Sequence, residues 1–397
     1  MSGPLTGFRV IDLTTMVSGP VATMMLGDQG ADVIKIEPPG GEYMRKAGVP
    51  YRGMPSSFLS CNRSKRSLAI DLKKPKGLEV VKKLVATADV LVQNFRPGAI
   101  ERMGLGEDIV RSIQPKIIFV SISGFGDSGP YAGQRVYDPI IQAISGLADI
   151  QRDRESGEPR MVRTIIPDKT TSVTAAQAIT AALLHRERTG DGQHIRLSML
   201  DTMIAYLWPE GMSGLNFVGN EVDPAKAQMG LDLVFKTVDG YITAAAVSDA
   251  EWAGFCRAIR HDEWIEDAKF KTPADRSRNQ SLRRQMMSDE LAKWKSEEIL
   301  KRMKIEDVPC APILDRWSIL EDEQVQENEV IEIHDHPTLG NVRQPRPAAR
   351  FDRSPTKVTA LAPFLGADNS AILAEAGYAE ADIDRLELDG VLHHQKQ

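Results

Sequence analysis

An aspartate stands alone in the stretch RTIIPDKTTS, residues 163–172: Asp168 follows two isoleucines and Pro167, and no further carboxylate occurs until Glu187. A lone acid at the mouth of an alanine-rich segment has two readings. One is structural, since an aspartate between a proline and KTTSVTAAQAITAALLHRE is a natural helix N-cap, its side chain accepting an unpaired backbone N–H. The other is chemical. With an ordinary pKa of about 3.9 the group is ionised at neutral pH, so it is a nucleophile that needs no partner base. The amides of a helix start can also hold developing oxyanion charge. A single acid fits covalent acyl transfer; a hydrolase dyad or triad needs partners that this stretch does not supply.

Two further stretches carry groups suited to a large anionic ligand. In NRSKRSLAIDLKKPK (62–76) the cations Arg63, Lys65, Arg66, Lys73, Lys74 and Lys76 face a single acid, Asp71. Such a run is either a solvated rim or an anion site, and its place at a strand end and a helix start, where α/β sheets take phosphates, keeps the second reading open. QNFRPGAIERMG adds Asn94, Phe95, Arg96 and Arg102. An aromatic face beside an amide and a guanidinium suits an adenine or a pantetheine arm, although Phe95 fits a core position equally well. The opening strand–loop–helix–strand ends in Glu37, where a dinucleotide fold puts its ribose acid, but the loop TTMVSGP has one glycine in place of GxGxxG, so NAD is not expected. A cap at Ser18 would still leave backbone N–H groups as a ligand edge. His334 and His336 alternate around Asp335, too few ligands for a metal site, and no role falls to His393 and His394.

The elements that must position these residues follow from the apolar pattern. FRVIDL (8–13), DVIKIE (32–37), LAIDL (68–72), DVLVQN (89–94) and IIFVSISGFG (117–126) read as strands. Between them lie helical segments: SGPVATMMLGDQGA, capped by Ser18 or Gly19 and ended by Gly30, one opened by Pro75, and the short PGAIERMG and GEDIVRSI. Alternation of this kind predicts an α/β fold, a Rossmann-like doubly wound and mostly parallel sheet. Later the character changes. VFKTVDGYITAAA (234–246) reads as a hairpin around Asp239 and Gly240, Ser248 with Glu251 as a capping box, and charged helices follow up to DVPCAPILD. A second, smaller α+β domain is therefore expected, followed by a proline- and arginine-rich return and one short amphipathic helix, NSAILAEAGYAEADIDRL. The boundaries are drawn at 1–215, 230–325 and 335–397.

With 397 residues, ordinary composition and a formal charge of −6, the chain is globular material without the basic excess that nucleic acid or a membrane surface would require. Cys61, Cys256 and Cys310 are far apart with no CxxC pair, which indicates neither a disulfide framework nor a zinc site and fits the cytoplasm. No apolar run approaches the roughly 18 residues of a membrane helix, and MSGPLTGFRVIDL lacks a leader's basic and apolar regions.

Taken in order, GFRVIDLTTMVSGPVATMMLGDQGADVIKIEPPGG, NRSKRSLAIDLKKPKG, ADVLVQNFRPGAIERMGLG, SISGFGDSGPYAG, LLHRERTGDGQHIRLSMLD, VPCAPILD, HPTLGNVRQPRPAARF and LAEAGYAEADI resemble the class III CoA-transferases (CaiB/BaiF) over essentially the whole chain. The resemblance implies a CoA-binding Rossmann-like large domain, coenzyme A carried as acyl-CoA substrate and product, no metal, and a homodimer of interlocked chains. By position it puts the family's aspartate nucleophile on Asp168 and an assisting acid on Asp138. It puts CoA contacts on Val17, Ser18, Ile70, Lys73, Asn94, Phe95, Arg102, Met103, Arg135 and Met199. The implied reaction moves CoA from an acyl-CoA donor to a free carboxylic acid through an aspartyl anhydride and an aspartyl-CoA thioester.

Departures from the formyl-CoA branch narrow the substrate. Val17 stands where that branch has glutamine and Pro38 where it has arginine, and GNEVDPAKAQMG (219–230) lacks its run of glycines, so formyl and oxalate substrates are not expected. A rival within the same superfamily is a 2-methylacyl-CoA racemase, which works with a histidine–aspartate pair. Here Tyr137 occupies the histidine's place in VYDPIIQ, and His185 lies far along the segment after Asp168. A non-catalytic CoA-binding protein on the same fold is the third reading, because fold does not fix function.

Overall fold

A computed structural model of the chain describes residues 3–153, 156–223 and 233–395. Two compact units share the chain, one of residues 1–228 with 329–397 and the other of 229–328. In the first unit the apolar runs become six parallel strands: β1 (Arg9–Asp12), β2 (Asp32–Glu37), β3 (Arg66–Ala69), β4 (Val90–Gln93), β5 (Ile118–Ser123) and β6 (His194–Ser198). Their order is β3-β2-β1-β4-β5-β6. This is the doubly wound order, reversing direction between β1 and β4.

Both faces of the sheet are buried, which is why its strands read as continuous apolar runs. Successive side chains point to opposite faces. Val10, Val33, Val90, Val92, Ile118 and Val120 pack with Ala22 and Leu26 of helix α1 (Ser18–Asp28). Ala175, Ile179 and Leu183 of a later 24-residue helix, Ile166–Thr189, join them. Ile11, Ile34, Leu68, Leu91 and Phe119 face the other way, onto Val80, Val81, Leu84 and Val85 of α2 (Pro75–Val85). Ile372, Leu373 and Leu386 from the C-terminal segment complete that layer. The expected single C-terminal helix is in fact two, Asn369–Glu375 and Glu380–Leu388. Gly377 between them stands at φ +83, a left-handed conformation that ends a helix.

The helices that reach the site are α3 (Asp138–Ile144), α4 (Ile166–Thr189) and α5 (Met199–Leu207). Helix α1 starts one or two residues earlier than expected from a cap at Ser18 or Gly19: Val17 is its N-cap with no side-chain bond, and Ser18 is the first helical residue. In the second unit the hairpin forms as Val234–Lys236 against Tyr241–Ala244, and Cys310–Pro312 adds a third antiparallel strand. The Ser248–Glu251 capping box opens the helix Asp249–Ile259, whose Trp252 and Phe255 anchor that unit's core.

Gly19 packs the start of α1 directly on Thr14 in the loop after β1. A methyl group there would stand 2.3 Å from Thr14 Cβ. Thr14 cannot swing away without losing the bond from its hydroxyl to Asp12 Oδ1 at 2.5 Å. Helix propensity favours alanine over glycine by about 1 kcal/mol, but overpacking costs about 1–3 kcal/mol and should win. Gly19→Ala is therefore expected to lower the melting temperature; a rise would show the clash is relieved locally.

Candidate active site

At the reversal of strand order, over the C-terminal ends of β1, β4 and β5, lies a cavity of about 250 Å³. Ligands of open α/β sheets bind at such a switch point. Thr15, Met16 and Ser18 supply one wall, Asn94–Pro97 the next, and Ile122–Gly124 the floor at the end of β5. The 132–138 stretch, Asp168 and Met199 close it. The two switch-point loops are tied across the crevice by one side chain: Asn94 accepts the Thr15 N–H at 2.9 Å and donates to the Thr15 carbonyl at 2.8 Å.

Asp168 is the third residue of α4, and Ile165, not Asp168, is the N-cap, so the capping role expected of it is not what the side chain does. Its carboxylate instead lies by Ser18, whose backbone N–H and hydroxyl favour its charged form. The free amide at the start of α1, singled out in sequence as a ligand edge, is thus aimed at the nucleophile candidate. The Asp168 N–H donates to Asp138 Oδ2 at 3.2 Å. Asp138 is buried on α3 and held by Gln142 Nε2 at 2.6 Å, and Gln142 Oε1 in turn accepts the Val162 N–H at 2.9 Å. Gln142 is a positioning side chain that sequence reading missed.

Burial first, and the neighbouring Asp138 charge second, push the Asp168 carboxyl up to about 6, against the opposing pull of the Ser18 donors. The ordinary value expected from sequence is therefore wrong for this site. At pH 7.5 the group is still mostly ionised, but it is a stronger base and nucleophile than a solvated aspartate. Stability follows the same shift. Because the folded pKa lies above the unfolded one, ionising Asp168 costs stability, a cost absent below about pH 4 and complete above about pH 6. Asp168→Asn is expected to stabilise the protein by about 1–2 kcal/mol at pH 7.5, the gain fading as pH falls to 4.5. Thermal melts at the two pH values check this, and a gain that is equal at both would contradict it.

Ser18, Asn94, Phe95, Arg135, Asp138, Asp168 and Met199 are brought together in the cavity lining; Val17, Ile70, Lys73, Arg102 and Met103 are not part of it. The Ile70 side chain is fully buried in the core beneath α2 and has no surface to offer a ligand. The basic run 62–76 is largely internal scaffolding. Arg63 pairs with Asp28, Lys65 with Asp12, Arg66 with Asp32 and Glu375, and Lys76 with Asp389. Lys74 donates to the carbonyls of Asp389 and Gly390. Of the six cations only Lys73 extends to solvent with its amine unpaired among the described residues. Glu37, the false ribose acid, takes Arg45 in a two-point bond. His336 Nδ1 accepts the Thr338 and Leu339 N–H groups at its hairpin turn, and His334 lies 3.1 Å from Glu332. Tyr137 is exposed and His185 lies on α4; no histidine lines the cavity.

A second cavity of about 440 Å³ opens on the far side of Phe95–Pro97. Across it runs a chain from Glu107 to His194 Nδ1 at 2.5 Å, from His194 Nε2 to Ser121 at 2.9 Å, and from Ser121 to Gln93 at 2.9 Å. Gln93 then accepts the Phe95 N–H at 2.8 Å. Burial holds the imidazole below its ordinary value, so it is neutral at pH 7 and accepts the Ser121 proton. The chain braces the Phe95 wall between the cavities.

The family model described as CoA-transferase family III matches residues 5–369. Succinyl-CoA:glutarate CoA-transferase of Mus musculus is 35% identical, the match covering 99% of this chain and 91% of that protein. Formyl-CoA:oxalate CoA-transferase of Streptomyces avermitilis is 30% identical over 99% of this chain and 100% of its own length. Among solved structures, a CAIB/BAIF family protein from Brucella suis superposes with a TM-score of 0.83 at 30% identity, over 95% of this chain and 100% of that one. A doubly wound sheet with two neighbouring aspartates at its switch point thus coincides with matches that run nearly end to end. The chain belongs to CoA-transferase family III, enzymes that pass CoA from an acyl-CoA to a carboxylate.

Proposed function

We propose that this enzyme transfers CoA through covalent intermediates on Asp168. The observation that carries the reading is a half-buried carboxylate that lines the cavity beside Ser18 and Asp138 and is raised to about 6. An Asp168 oxygen attacks the donor thioester; the C–S bond breaks, CoA leaves as thiolate, and a mixed anhydride remains. The thiolate then attacks the aspartyl carbonyl, expelling the donor acid and leaving an aspartyl-CoA thioester. The acceptor carboxylate attacks that thioester, and the thiolate released returns to the acceptor's carbonyl. A new acyl-CoA departs and Asp168 is again a carboxylate. One thioester is exchanged for another, so no nucleotide triphosphate is needed. The helix-start amide and hydroxyl of Ser18 are suited to hold the oxyanions that form at the aspartyl carbon.

For the substrate we favour dicarboxylic acids and their CoA thioesters. The mouse relative is named for succinyl-CoA and glutarate. Arg96 lines the cavity without a carboxylate partner among the described residues, as a second substrate charge requires. Val17 and Pro38, two of the three departures from the formyl-CoA branch, favour neither formyl nor oxalate. CoA exchange from succinyl-CoA into a panel of acids, read by mass spectrometry, should give short dicarboxylates at least about 10-fold over formate, oxalate and fatty acids. No exchange into any dicarboxylate would refute this. The CoA handle is assigned to the Ser18, Asn94, Phe95, Arg135 and Met199 surface, extending toward Lys73, Arg102 and Met103. A homodimer is inferred with it: Ile140, Ile144, Leu184, Ile204 and Trp208 are large apolar side chains left exposed on or beside α3, α4 and α5, as a partner chain would require. The cytoplasm is inferred from three free cysteines, and no helix among the described residues is long and apolar enough to cross a membrane.

A further inference from the structure

The loop that carries Ser18 is bent against its own preference and tied down by a buried cluster of four charges. Met16 stands at φ +70, in the left-handed region that a side chain other than glycine resists. Its N–H is accepted by Glu42 Oε2 at 2.9 Å. The other oxygen of Glu42 lies 3.3 Å from Lys35 Nζ, and that amine donates to the Thr14 carbonyl at 2.9 Å. Asp12 Oδ1 accepts the Thr14 N–H at 2.9 Å, while Lys65 joins Asp12 Oδ2 at 2.9 Å to the Pro20 carbonyl at 2.8 Å. All four charged side chains are buried, none more than 1% exposed. Two cations balance two anions, and the backbone at Thr14, Met16 and Pro20 is held by them. A buried ionic cluster is seldom a gain in stability over apolar packing, and left-handed strain is a further cost. Such costs concentrate where geometry matters to function.

We propose that Glu42 is a positioning residue of the transfer site: through Met16 it holds the left-handed bend that aims the Ser18 N–H and hydroxyl at the Asp168 carboxylate. The proposal rests on Asp168 as the reacting group, and it goes beyond that reading by naming what sets the group's donors. A plainer role for Glu42 is as cap of the turn Tyr43–Arg45, whose Met44 N–H it accepts at 3.4 Å. That bond is longer than the one to Met16, and a cap alone has no reason to affect Asp168.

The sign of one measurement separates the two roles. Facing Asp168 are Ser18 from α1 and Asp138 from α3, its charge also acts on the Cys61 thiol, and the amine of Lys169 is turned to the Thr164 hydroxyl at 2.9 Å. Glu42→Gln leaves all of these in place. Losing a nearby negative charge by itself would make Asp168 easier to ionise, whereas losing the Ser18 donors makes it harder.

The experiment follows carbodiimide modification of Asp168 against pH by peptide mass spectrometry in the full-length protein, alongside steady-state kinetics. In Glu42→Gln the midpoint is expected to rise from about 6 by about one pH unit. Turnover should fall about 10–100-fold, with a much smaller change in KM for acyl-CoA. Adding Met16→Gly should restore part of the turnover, because glycine adopts the bend without strain. Where Glu42→Gln leaves Lys35 unpaired and the fold too weak, Glu42→Asp keeps the charge beside Lys35 while withdrawing the acceptor from the Met16 N–H, and serves the same comparison. An unchanged or lowered midpoint in a folded variant overturns the proposal, whatever the turnover. A raised midpoint with undiminished turnover sustains the positioning role and counts instead against Asp168 as the nucleophile.

Discussion

Replacing Asp168 with asparagine or alanine is expected to abolish CoA transfer, lowering kcat by about 10⁴-fold or more, the scale seen when a covalent nucleophile is removed. Asparagine keeps the shape and can still accept a bond from Ser18, but it has no anionic oxygen to attack a thioester. Acyl-CoA binding should survive, because the proposed CoA surface lies on other residues, and the asparagine variant should be the more stable protein at neutral pH. A folded, more stable, ligand-binding and inactive variant is a combination that a structural role for Asp168 does not produce. If asparagine retained even a tenth of wild-type turnover, the covalent account would fail.

Asp138→Asn should have the second largest effect, by two opposed routes. Asp138 accepts the Asp168 N–H at 3.2 Å and supplies the like charge that helps hold the pKa of Asp168 up. Asparagine keeps one acceptor oxygen but removes the charge, so the acid limb of the pH–rate profile should move below about 6. It should stay above the range of a solvated aspartate, because burial, the larger cause, remains. The nucleophile is then ionised over a wider pH range but is less basic and less firmly oriented, and kcat at pH 8 should drop about 10–100-fold. The deficit should shrink toward about pH 5.5, where the wild type protonates first. A deficit that grows on acidification would show that Asp138 works as a proton donor and not through the charge and orientation of its neighbour.

Much of the architecture was legible because a parallel sheet buried on both faces leaves a simple trace. Val10, Ile11, Val33, Ile34 and the Val90–Val92 run are apolar without interruption since α1 and α4 cover one face and α2 the other. The hairpin at Asp239–Gly240 and the Ser248–Glu251 box were legible for a local reason: each needs only residues a few positions apart. Asp168 was legible as an isolated acid, but its behaviour was not. Its pKa depends on Asp138, thirty residues upstream, and on burial at a crevice that exists only once β1 and β4 are neighbours. The basic run misled for the converse reason, since Asp28, Asp12, Glu375 and Asp389, which absorb its charge, lie far away in sequence. The buried cluster did leave a signal. Asp12 and Lys35 sit beside the apolar residues of RVID and DVIKIE, and a charge in a strand buried on both faces must have a partner.

The central claim is that each turnover passes through a bond between Asp168 and the acceptor acid, and the path of oxygen tests it directly. In the proposed sequence Asp168 loses one carboxylate oxygen to the departing donor acid and regains one from the acceptor. A single turnover with a dicarboxylic acid labelled in its carboxyl groups with heavy oxygen should therefore leave one heavy atom in the peptide containing Asp168, many turnovers should approach two, and enzyme incubated without acyl-CoA should show none. If the protein turns over fully and that peptide stays unlabelled, the acceptor never bonds to Asp168, and the covalent mechanism is wrong.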